Sequence, residues 1–170
     1  LRDTPASVWM DHLTYTKPMQ SSLFTEYVLN PRVANELLTP YRKFFLTNMD
    51  AQLQIEAKAN PQLLINWVKD SIQVNDTLNT QRIPIMPMGV WKSRVADRHS
   101  RDIFFVALCR SLGIPARIEP VAGKIQYARG LGWVDVDFET TAPISTQKGR
   151  VLAAYQPTKV LPDPKYYSHF

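Results

Sequence analysis

The residues with the greatest capacity for chemistry lie together between positions 98 and 117. This stretch holds Cys109, the only cysteine of the chain, and the adjacent pair His99 and Ser100. A thiolate, or a hydroxyl activated by a histidine, can attack an amide or an ester. Successive residues of a helix diverge by roughly 100° around its axis, so His99 and Ser100 would not face each other. The sequence therefore predicts a capping serine and a solvated histidine here rather than a catalytic dyad.

Two further hypotheses concern the cysteine and a metal ion. Cys109 stands near the end of an apolar helical pattern, which predicts a small buried hydrophobic residue without reactivity. Asp97, His99 and Asp102 carry atoms that can bind a metal, but no second histidine lies nearby at ligand spacing. The sequence therefore predicts no metal site, and nothing in it indicates a cofactor.

One helix must position these residues, and its pattern is almost entirely apolar. Ser100 is the predicted N-cap, Gly113 supplies a left-handed residue after the last turn, and Pro115 prevents any continuation. The apolar side chains recur at helical spacing and widen the face until it nearly surrounds the helix: Ile103, Phe104, Phe105, Val106, Ala107 and Leu108. The pattern predicts a central buried helix from about His99 to Leu112 that leads directly into a strand.

Two stretches of the chain resemble motifs of the transglutaminase-like superfamily, a branch of the papain-like cysteine hydrolases. Residues 108–117 read Leu-Cys-Arg-Ser-Leu-Gly-Ile-Pro-Ala-Arg and are similar to the family signature RALGIPAR. Residues 131–136 read Leu-Gly-Trp-Val-Asp-Val and are similar to the strand motif His-Ala-Trp-x-Glu-Val. The resemblance implies a papain-like fold in which the catalytic cysteine opens the central helix and a histidine lies on a later strand.

The resemblance also implies that the catalytic pair is absent. Counted back from Arg110 without gaps, the family's cysteine position falls on Arg98, and its histidine position falls on Leu131. A guanidinium is not a nucleophile at physiological pH, and a leucine side chain transfers no proton. No aspartate occurs between Asp137 and Asp163 to serve as a third member. The chain is therefore identified as a catalytically degenerate member, with no catalytic residues and with Arg98 and Leu131 at the former positions.

The former active-site groove is the predicted binding site. Residues 75–94 contain too many prolines for a helix or a central strand, and they predict an apolar loop. In the family, the segment before the nucleophile helps to wall the substrate groove, so Trp91 is a candidate groove residue; the alternative is that Trp91 fills the core. With Arg98 and Trp133 it forms the predicted binding set for a peptide or carbohydrate ligand. Arg98 would make the groove cationic and suited to a carboxylate or another anion.

The order of the elements predicts the α+β class. Helix signals dominate the N-terminal half, at residues 4–13, 23–28, 31–38, 39–49 and 61–72. Strand-like runs follow the central helix at residues 114–121, 124–128, 133–138 and 151–155. We expect a helical N-terminal layer and a central helix packed on a small antiparallel sheet. The predicted domain spans residues 1–160, and residues 161–170 are predicted to be a linker or the first strand of a following domain.

Composition excludes several classes of protein. A chain of 170 residues can bury one real core. The formal net charge of +5 comes from scattered basic residues, which argues against a nucleic-acid partner. A single cysteine allows no internal disulfide, and no apolar run reaches membrane-spanning length, so no membrane span is predicted.

Two classes of function follow. The favoured one is an inactive transglutaminase-like domain that serves as a ligand-binding or structural module of a larger, exported protein of bacterial type. Its location would be extracellular or in the cell envelope, and its partners would include flanking domains of the same chain. The alternative is a cysteine-type or other amide-bond hydrolase or transferase, such as a peptidase or transglutaminase, with an unrecognised site. A third hypothesis is a spacer that holds the flanking domains apart.

Overall fold

The structure, a computed structural model, describes residues 4–130 and 132–139. Over these residues it has the predicted α+β composition, with helices first and a small sheet after the central helix. The helical segments are α1 (Ala6–Thr14), a π-helical turn (Thr25–Leu29), α2 (Arg42–Asn48), α3 (Ala51–Ala59), α4 (Gln62–Ser71), α5 (Pro87–Ser93) and α6 (Arg98–Ser111). The strands are β1 (Gln73–Val74), β2 (Val95–Ala96), β3 (Ala116–Ile118), β4 (Ile125–Arg129) and β5 (Gly132–Asp135).

The central helix lies where the sequence predicts it. Eleven of the fourteen residues of α6 are buried, and the helix packs on α2, α5, β3, β4 and the π-helical turn. It ends as expected, because Gly113 adopts a φ of 82° and the Ile114 N–H donates to the Cys109 carbonyl at 2.9 Å. The prediction of a helix that is buried on most sides is confirmed.

The start of α6 differs from the prediction. Ser100 is not the N-cap; Asp97 is, with an extended backbone and a carboxylate that accepts the Ser100 N–H at 3.0 Å. A carboxylate is a strong capping group and also complements the positive end of the helix dipole. The helix therefore begins at Arg98, and Ser100 lies inside its first turn.

The main sheet is antiparallel, in the order β3-β4-β5. Tyr127 of β4 pairs with Ala116 on one side and Val134 on the other, which fixes the register. The strand predicted at 133–138 is shorter than expected, because regular pairing ends at Asp135 and the chain then bends. Phe138 lies in this bend and packs edge-on against Phe105 of α6, with ring centroids 5.5 Å apart.

A second sheet was not predicted, and it determines the surroundings of the α6 N-terminus. The two-residue strands β1 and β2 are parallel and pair Gln73 with Val95 and Val74 with Ala96. Because α6 follows β2 after a single residue, this pairing places the loop after β1 beside the first turn of α6.

The segment 75–94 is not entirely a loop, which corrects the prediction. Residues 87–93 form α5, with Pro87 as the first helical residue. Proline is compatible with this position because the first N–H of a helix has no partner inside the helix. The prediction was wrong because it counted the prolines and did not consider that a proline is compatible with the first position of a helix.

The N-terminal layer is helical as predicted, but α3 (Ala51–Ala59) was not predicted and two other segments need correction. Residues 31–38 form no helix, because the Glu36 carboxylate accepts the Val33 and Ala34 N–H groups at 2.7 and 2.8 Å and holds a bend. The helix predicted from Thr39 and Pro40 begins only at Arg42. Its N-terminal cap is distant in sequence: Asp11 of α1 accepts the Arg42 and Lys43 N–H groups at 2.7 and 3.0 Å.

The C-terminal expectations concern residues beyond position 139. The strand predicted at 151–155, the domain boundary at residue 160 and the segment 161–170 lie outside the described residues. They stay predictions.

Candidate functional site

The N-terminus of α6 carries an ion pair. Arg98, the residue that the motif count predicts at the nucleophile position, donates a hydrogen bond from its guanidinium to the Asp76 carboxylate at 2.6 Å. The other Asp76 oxygen accepts the Arg98 backbone N–H at 2.9 Å. Side-chain exposures of 63% for Arg98 and 44% for Asp76 place the pair at the surface. This end of the helix therefore presents a cation that a neighbouring carboxylate neutralises.

The residues next to Arg98 are fixed by hydrogen bonds. The Asp97 carboxylate accepts the Ser100 hydroxyl at 2.6 Å and the Asn79 amide at 2.7 Å, in addition to the Ser100 N–H. Partial burial acts to raise the pKa of Asp97, but these hydrogen bonds from Ser100 and Asn79 outweigh it and hold the pKa below its ordinary value. Asp97 is therefore an ionised cap rather than a proton donor.

His99 and Ser100 do not form a dyad. The Ser100 hydroxyl is buried, donates to Asp97 and accepts the Ile85 N–H at 2.9 Å. The exposed His99 ring instead lies with its Nε2 3.2 Å from the Asn35 amide oxygen. The prediction that these neighbours face different directions agrees with the structure.

Two clefts of about 430 Å³ each flank the ion pair, and both are lined by Asp76 and Arg98. The first cleft is completed by Asn79, Arg82, Asp97 and His99. The second is completed by Lys69, Ile72, Gln73, Val74, Arg101, Phe138 and Glu139. A more apolar groove of about 490 Å³ shares Asn79 and Asp97 with the first cleft. The Arg98–Asp76 pair thus stands between adjoining depressions, a geometry that suits an extended ligand better than a compact one.

Arg101 contacts the residues that line the second cleft on the side of the sheet. Its guanidinium lies 4.2 Å from the Phe138 ring centroid and 3.6 Å from the Glu139 carboxylate. It also donates to Asp102 at 3.0 Å. Burial raises the pKa of Asp102 above its ordinary value, although the positive charge of Arg101 acts in the opposite direction. The segment that follows β5 therefore contacts the first turns of α6 through Phe138 and Glu139.

Trp91 lies in a different part of the molecule from these clefts. Its ring packs against Phe45 and Trp67, with centroids 5.6 and 5.2 Å away, and the Arg94 guanidinium lies 4.6 Å from its centroid. Trp91 is half-buried and lines neither of the clefts that Arg98 lines. The structure therefore places it in an aromatic cluster against the core.

Trp133 lies in a third region, near the C-terminal end of α6. The Arg117 guanidinium lies 4.2 Å from its ring centroid, and Tyr27 packs edge-on at 5.0 Å. Trp133 also lines neither cleft, so the two clefts bring together none of the predicted binding residues besides Arg98. Leu131 lies outside the described residues, and its opposition to Arg98 stays a prediction.

Cys109 is fully buried in the core. Burial raises the pKa of its thiol far above the ordinary value, although the charge of Arg110 acts in the opposite direction. Because a thiol must ionise to attack, Cys109 is not suited to nucleophilic chemistry.

The described residues show neither a metal centre nor a membrane span. Within residues 4–130 and 132–139, no group of three or more histidine, cysteine, aspartate or glutamate side chains could hold a metal ion. None of the helices in that part of the chain is both long enough and apolar enough to cross a bilayer.

Sequence reasoning missed several residues that shape the clefts. Asp76, Asn79 and Glu139 are polar residues in loops, and no local pattern links them to the start of α6. Asp97 had a usable signal, because an aspartate three residues before Ser100 at a predicted helix start is a typical cap.

Comparison with known proteins gives one match. A family model described as the transglutaminase-like superfamily matches residues 47–138, more than half of the 170-residue chain. This segment contains both clefts except for their edge at Glu139. No curated protein and no solved structure matches the chain.

Proposed function

Since the chain belongs to the transglutaminase-like superfamily, we propose that it is an inactive member that binds a peptide in the clefts flanking Arg98. The observation that carries this proposal is the Arg98–Asp76 ion pair at the N-terminus of α6. In a cysteine hydrolase that position must hold a thiolate, which the helix dipole stabilises. Here it holds a cation that the same dipole disfavours, and Asp76 neutralises this cation.

The position of the only cysteine supports inactivity. Cys109 lies about 16 Å further along the helix axis than Arg98, at a rise of ~1.5 Å per residue. It is buried, whereas both clefts open at the other end of the helix. Loss of a catalytic nucleophile lowers turnover by several orders of magnitude in enzymes of this kind. The alternative, an amide-bond hydrolase or transferase, would therefore need a nucleophile other than this thiol.

The charges around the clefts favour a peptide over a carbohydrate. The second cleft combines cations and carboxylates, namely Lys69, Arg98, Arg101, Asp76 and Glu139. A peptide presents N–H donors and carbonyl acceptors in alternation, so it can pair with both kinds of group. A sugar ring would gain most from a broad aromatic surface, and the rings of Trp91 and Trp133 line neither cleft.

The proposed setting is an exported protein with flanking domains, in the cell envelope or outside the cell. Its support is the family resemblance alone. Fractionation of the source cells, followed by detection with an antibody against this domain, tests it. Recovery of the protein in the cytosol would contradict this part of the proposal.

The test of inactivity is a turnover assay. We expect no hydrolysis of peptide amides and no transfer to glutamine donors by the unaltered domain. The Cys109→Ala variant lacks the only thiol, so it shows whether any trace of activity depends on that thiol. Turnover that persists in that variant would contradict inactivity and support a hydrolase with another nucleophile.

The test of binding uses a random library of immobilised peptides, with a glycan array beside it. We expect the domain to retain a subset of peptides, and Arg98→Gln to weaken their binding about tenfold, the effect of losing one charge-assisted hydrogen bond. Lys58→Gln is the matched control, because it removes an exposed positive charge on α3 away from both clefts. The proposed site would be contradicted if the domain retained only glycans. It would also be contradicted if Arg98→Gln and Lys58→Gln weakened peptide binding equally.

A further inference from the structure

A smaller cavity of about 250 Å³ lies near the other end of α6, and three arginines line it. They are Arg32, Arg110 and Arg117, and they come from the loop after the π-helical turn, from α6 and from β3. Among the described residues of the lining, Glu26 is the one acidic side chain, and Tyr27 contributes an aromatic ring. Three guanidinium groups that face one small space make it strongly cationic.

Arg110 is the buried member of this set, with an exposure of 3%. Its Nε donates to the Ala116 carbonyl at 3.0 Å, and its Nη1 donates to the carbonyls of Asn30 and Arg32 at 3.0 and 2.7 Å. Among the described residues, its Nη2 has no hydrogen-bond partner. The partners of Arg110 are thus neutral carbonyls, and one nitrogen is left for a group inside the cavity.

The part of the chain that the structure describes provides no salt-bridge partner for the three arginines. Within residues 4–130 and 132–139, no carboxylate lies within salt-bridge distance of any of these guanidinium groups. Arg117 donates through Nε to the Gln126 amide oxygen at 2.9 Å, and Arg32 donates to the Glu36 backbone carbonyl at 3.1 Å. The carboxylates of Glu36 and Glu26 act on Arg110 only from beyond salt-bridge distance, and a buried charge whose counter-ions are not in contact is costly. Burial accordingly lowers the pKa of Arg110, against the opposing effects of Tyr41 and Glu36.

A purely structural role explains only part of this arrangement. Arg110 joins α6 to the loop at Asn30 and to β3, which accounts for its Nε and Nη1. It does not account for Nη2, nor for two more arginines around the same space that have neutral partners but no salt bridge among the described residues. An anion in the cavity would account for both.

We propose that this cavity binds a small oxyanion, either a carboxylate or a phosphate group. Guanidinium groups bind such groups through paired charge-assisted hydrogen bonds. The cavity is smaller than the roughly 300–1,000 Å³ of drug-sized ligand sites, so it fits a small anion or the charged end of a larger molecule. The proposal is independent of the clefts at the α6 N-terminus and of any peptide bound there.

The experiment is calorimetric titration of the domain with sodium phosphate and, separately, with sodium acetate at low ionic strength. We expect one saturable site, which Arg117→Gln weakens by about tenfold or more. Arg32→Gln should weaken it in the same direction, and it is a second variant at an exposed position in case Arg117→Gln fails to fold. Tighter binding of phosphate would identify a phosphate site, and tighter binding of acetate a carboxylate site.

Lys58→Gln is the control for net charge and should leave the affinity unchanged. The proposal is overturned if neither anion saturates a site, or if neither arginine variant changes the affinity. Equal weakening by Lys58→Gln would also overturn it, because the effect would then be one of overall charge. Loss of binding in Arg98→Gln alone would overturn it too, by assigning the anion to the clefts.

Discussion

The two ends of α6 differ in almost every physical respect. At the N-terminal end, Arg98 is exposed, pairs with Asp76 and stands between open clefts. At the C-terminal end, Cys109 and Arg110 are buried, and Arg110 holds three backbone carbonyls from two other segments. The recognisable family motif belongs to the buried end. A resemblance carried by that end therefore identifies the fold and leaves the chemistry of the other end open.

Packing explains why the two ends can change independently. A buried residue contacts many neighbours, and a change of volume or charge there disturbs all of them. The exposed end requires only a cap for its free N–H groups, and Asp97 provides it whatever residue follows. The residue at position 98 can thus change at little cost to the fold.

The largest effect that this contrast predicts is at Arg110. Arg110→Leu leaves the carbonyls of Asn30, Arg32 and Ala116 without their donor, and each unsatisfied buried group costs about 1–3 kcal/mol. We expect the free energy of unfolding in urea to fall by about 3 kcal/mol or more. Arg98→Leu is the matched substitution at the exposed end and should cost less than about 1 kcal/mol. Similar losses of stability in Arg110→Leu and Arg98→Leu would contradict the difference between the two ends of α6.

The free energy of unfolding should depend on pH through a buried histidine. His12 is fully buried, and its Nδ1 lies 3.0 Å from the Val8 carbonyl. Burial, helped by the positive charges of Arg42 and Arg110, lowers the pKa of His12 from 6.5 to about 3. Between these values the unfolded chain binds a proton that the folded chain does not, so the free energy of unfolding falls as the pH falls below 6.5.

The expected slope from this one group is about 1.4 kcal/mol per pH unit, or about 2 kcal/mol between pH 6.5 and pH 5. Urea unfolding at a series of pH values measures it, and His12→Phe should flatten the curve over this range. His99→Phe is the control, because it leaves the buried imidazole in place. An unchanged curve for His12→Phe would show that His12 is not the group responsible.

The sequence predicted the buried end of α6 better than the exposed end, for a physical reason. The run from Ile103 to Leu108 and the stop at Gly113 are local signals, and both were read correctly. The surroundings of Arg98 depend on contacts between distant segments: the Asp76 loop reaches α6 only because β1 pairs with β2. No periodicity or turn signal encodes such a contact.

The same reason explains the errors at other helix ends. The cap of α2 comes from Asp11, about thirty positions earlier in the chain, so the local Thr-Pro signal predicted a start that was too early. The bend held by Glu36 replaced a predicted helix through side-chain bonds to its own backbone. Trp91 was read as either a groove or a core residue, and only the ring contacts with Phe45 and Trp67 show where it lies.

A smaller effect is expected at the cap of α6. Asp97→Ala removes the acceptor of the Ser100 N–H, and loss of such a cap costs about 0.5–2 kcal/mol. Asp97→Asn keeps an oxygen in place and should retain most of the stability. Thermal unfolding of the two variants measures the difference. Equal destabilisation by both would indicate that the charge of Asp97, rather than its geometry as a cap, supports this end of the helix.

The smallest effect concerns the ion pair itself. Arg98 and Asp76 are largely exposed, and a surface pair contributes only about 0–1 kcal/mol, decreasing as salt screens the charges. Asp76 also accepts the Arg98 backbone N–H, so Asp76→Ala removes both interactions whereas Arg98→Gln removes only the side-chain pair. A double-mutant cycle separates them, because its coupling energy contains only the side-chain pair. We expect a coupling below about 1 kcal/mol at low salt that vanishes near 1 M NaCl, together with a larger salt-independent loss for Asp76→Ala alone, because that variant also removes the acceptor of the Arg98 N–H. A coupling of several kcal/mol that resists salt would mean that the pair is effectively buried. The N-terminal end of α6 would then not be the exposed, weakly coupled end that the contrast with Arg110 requires.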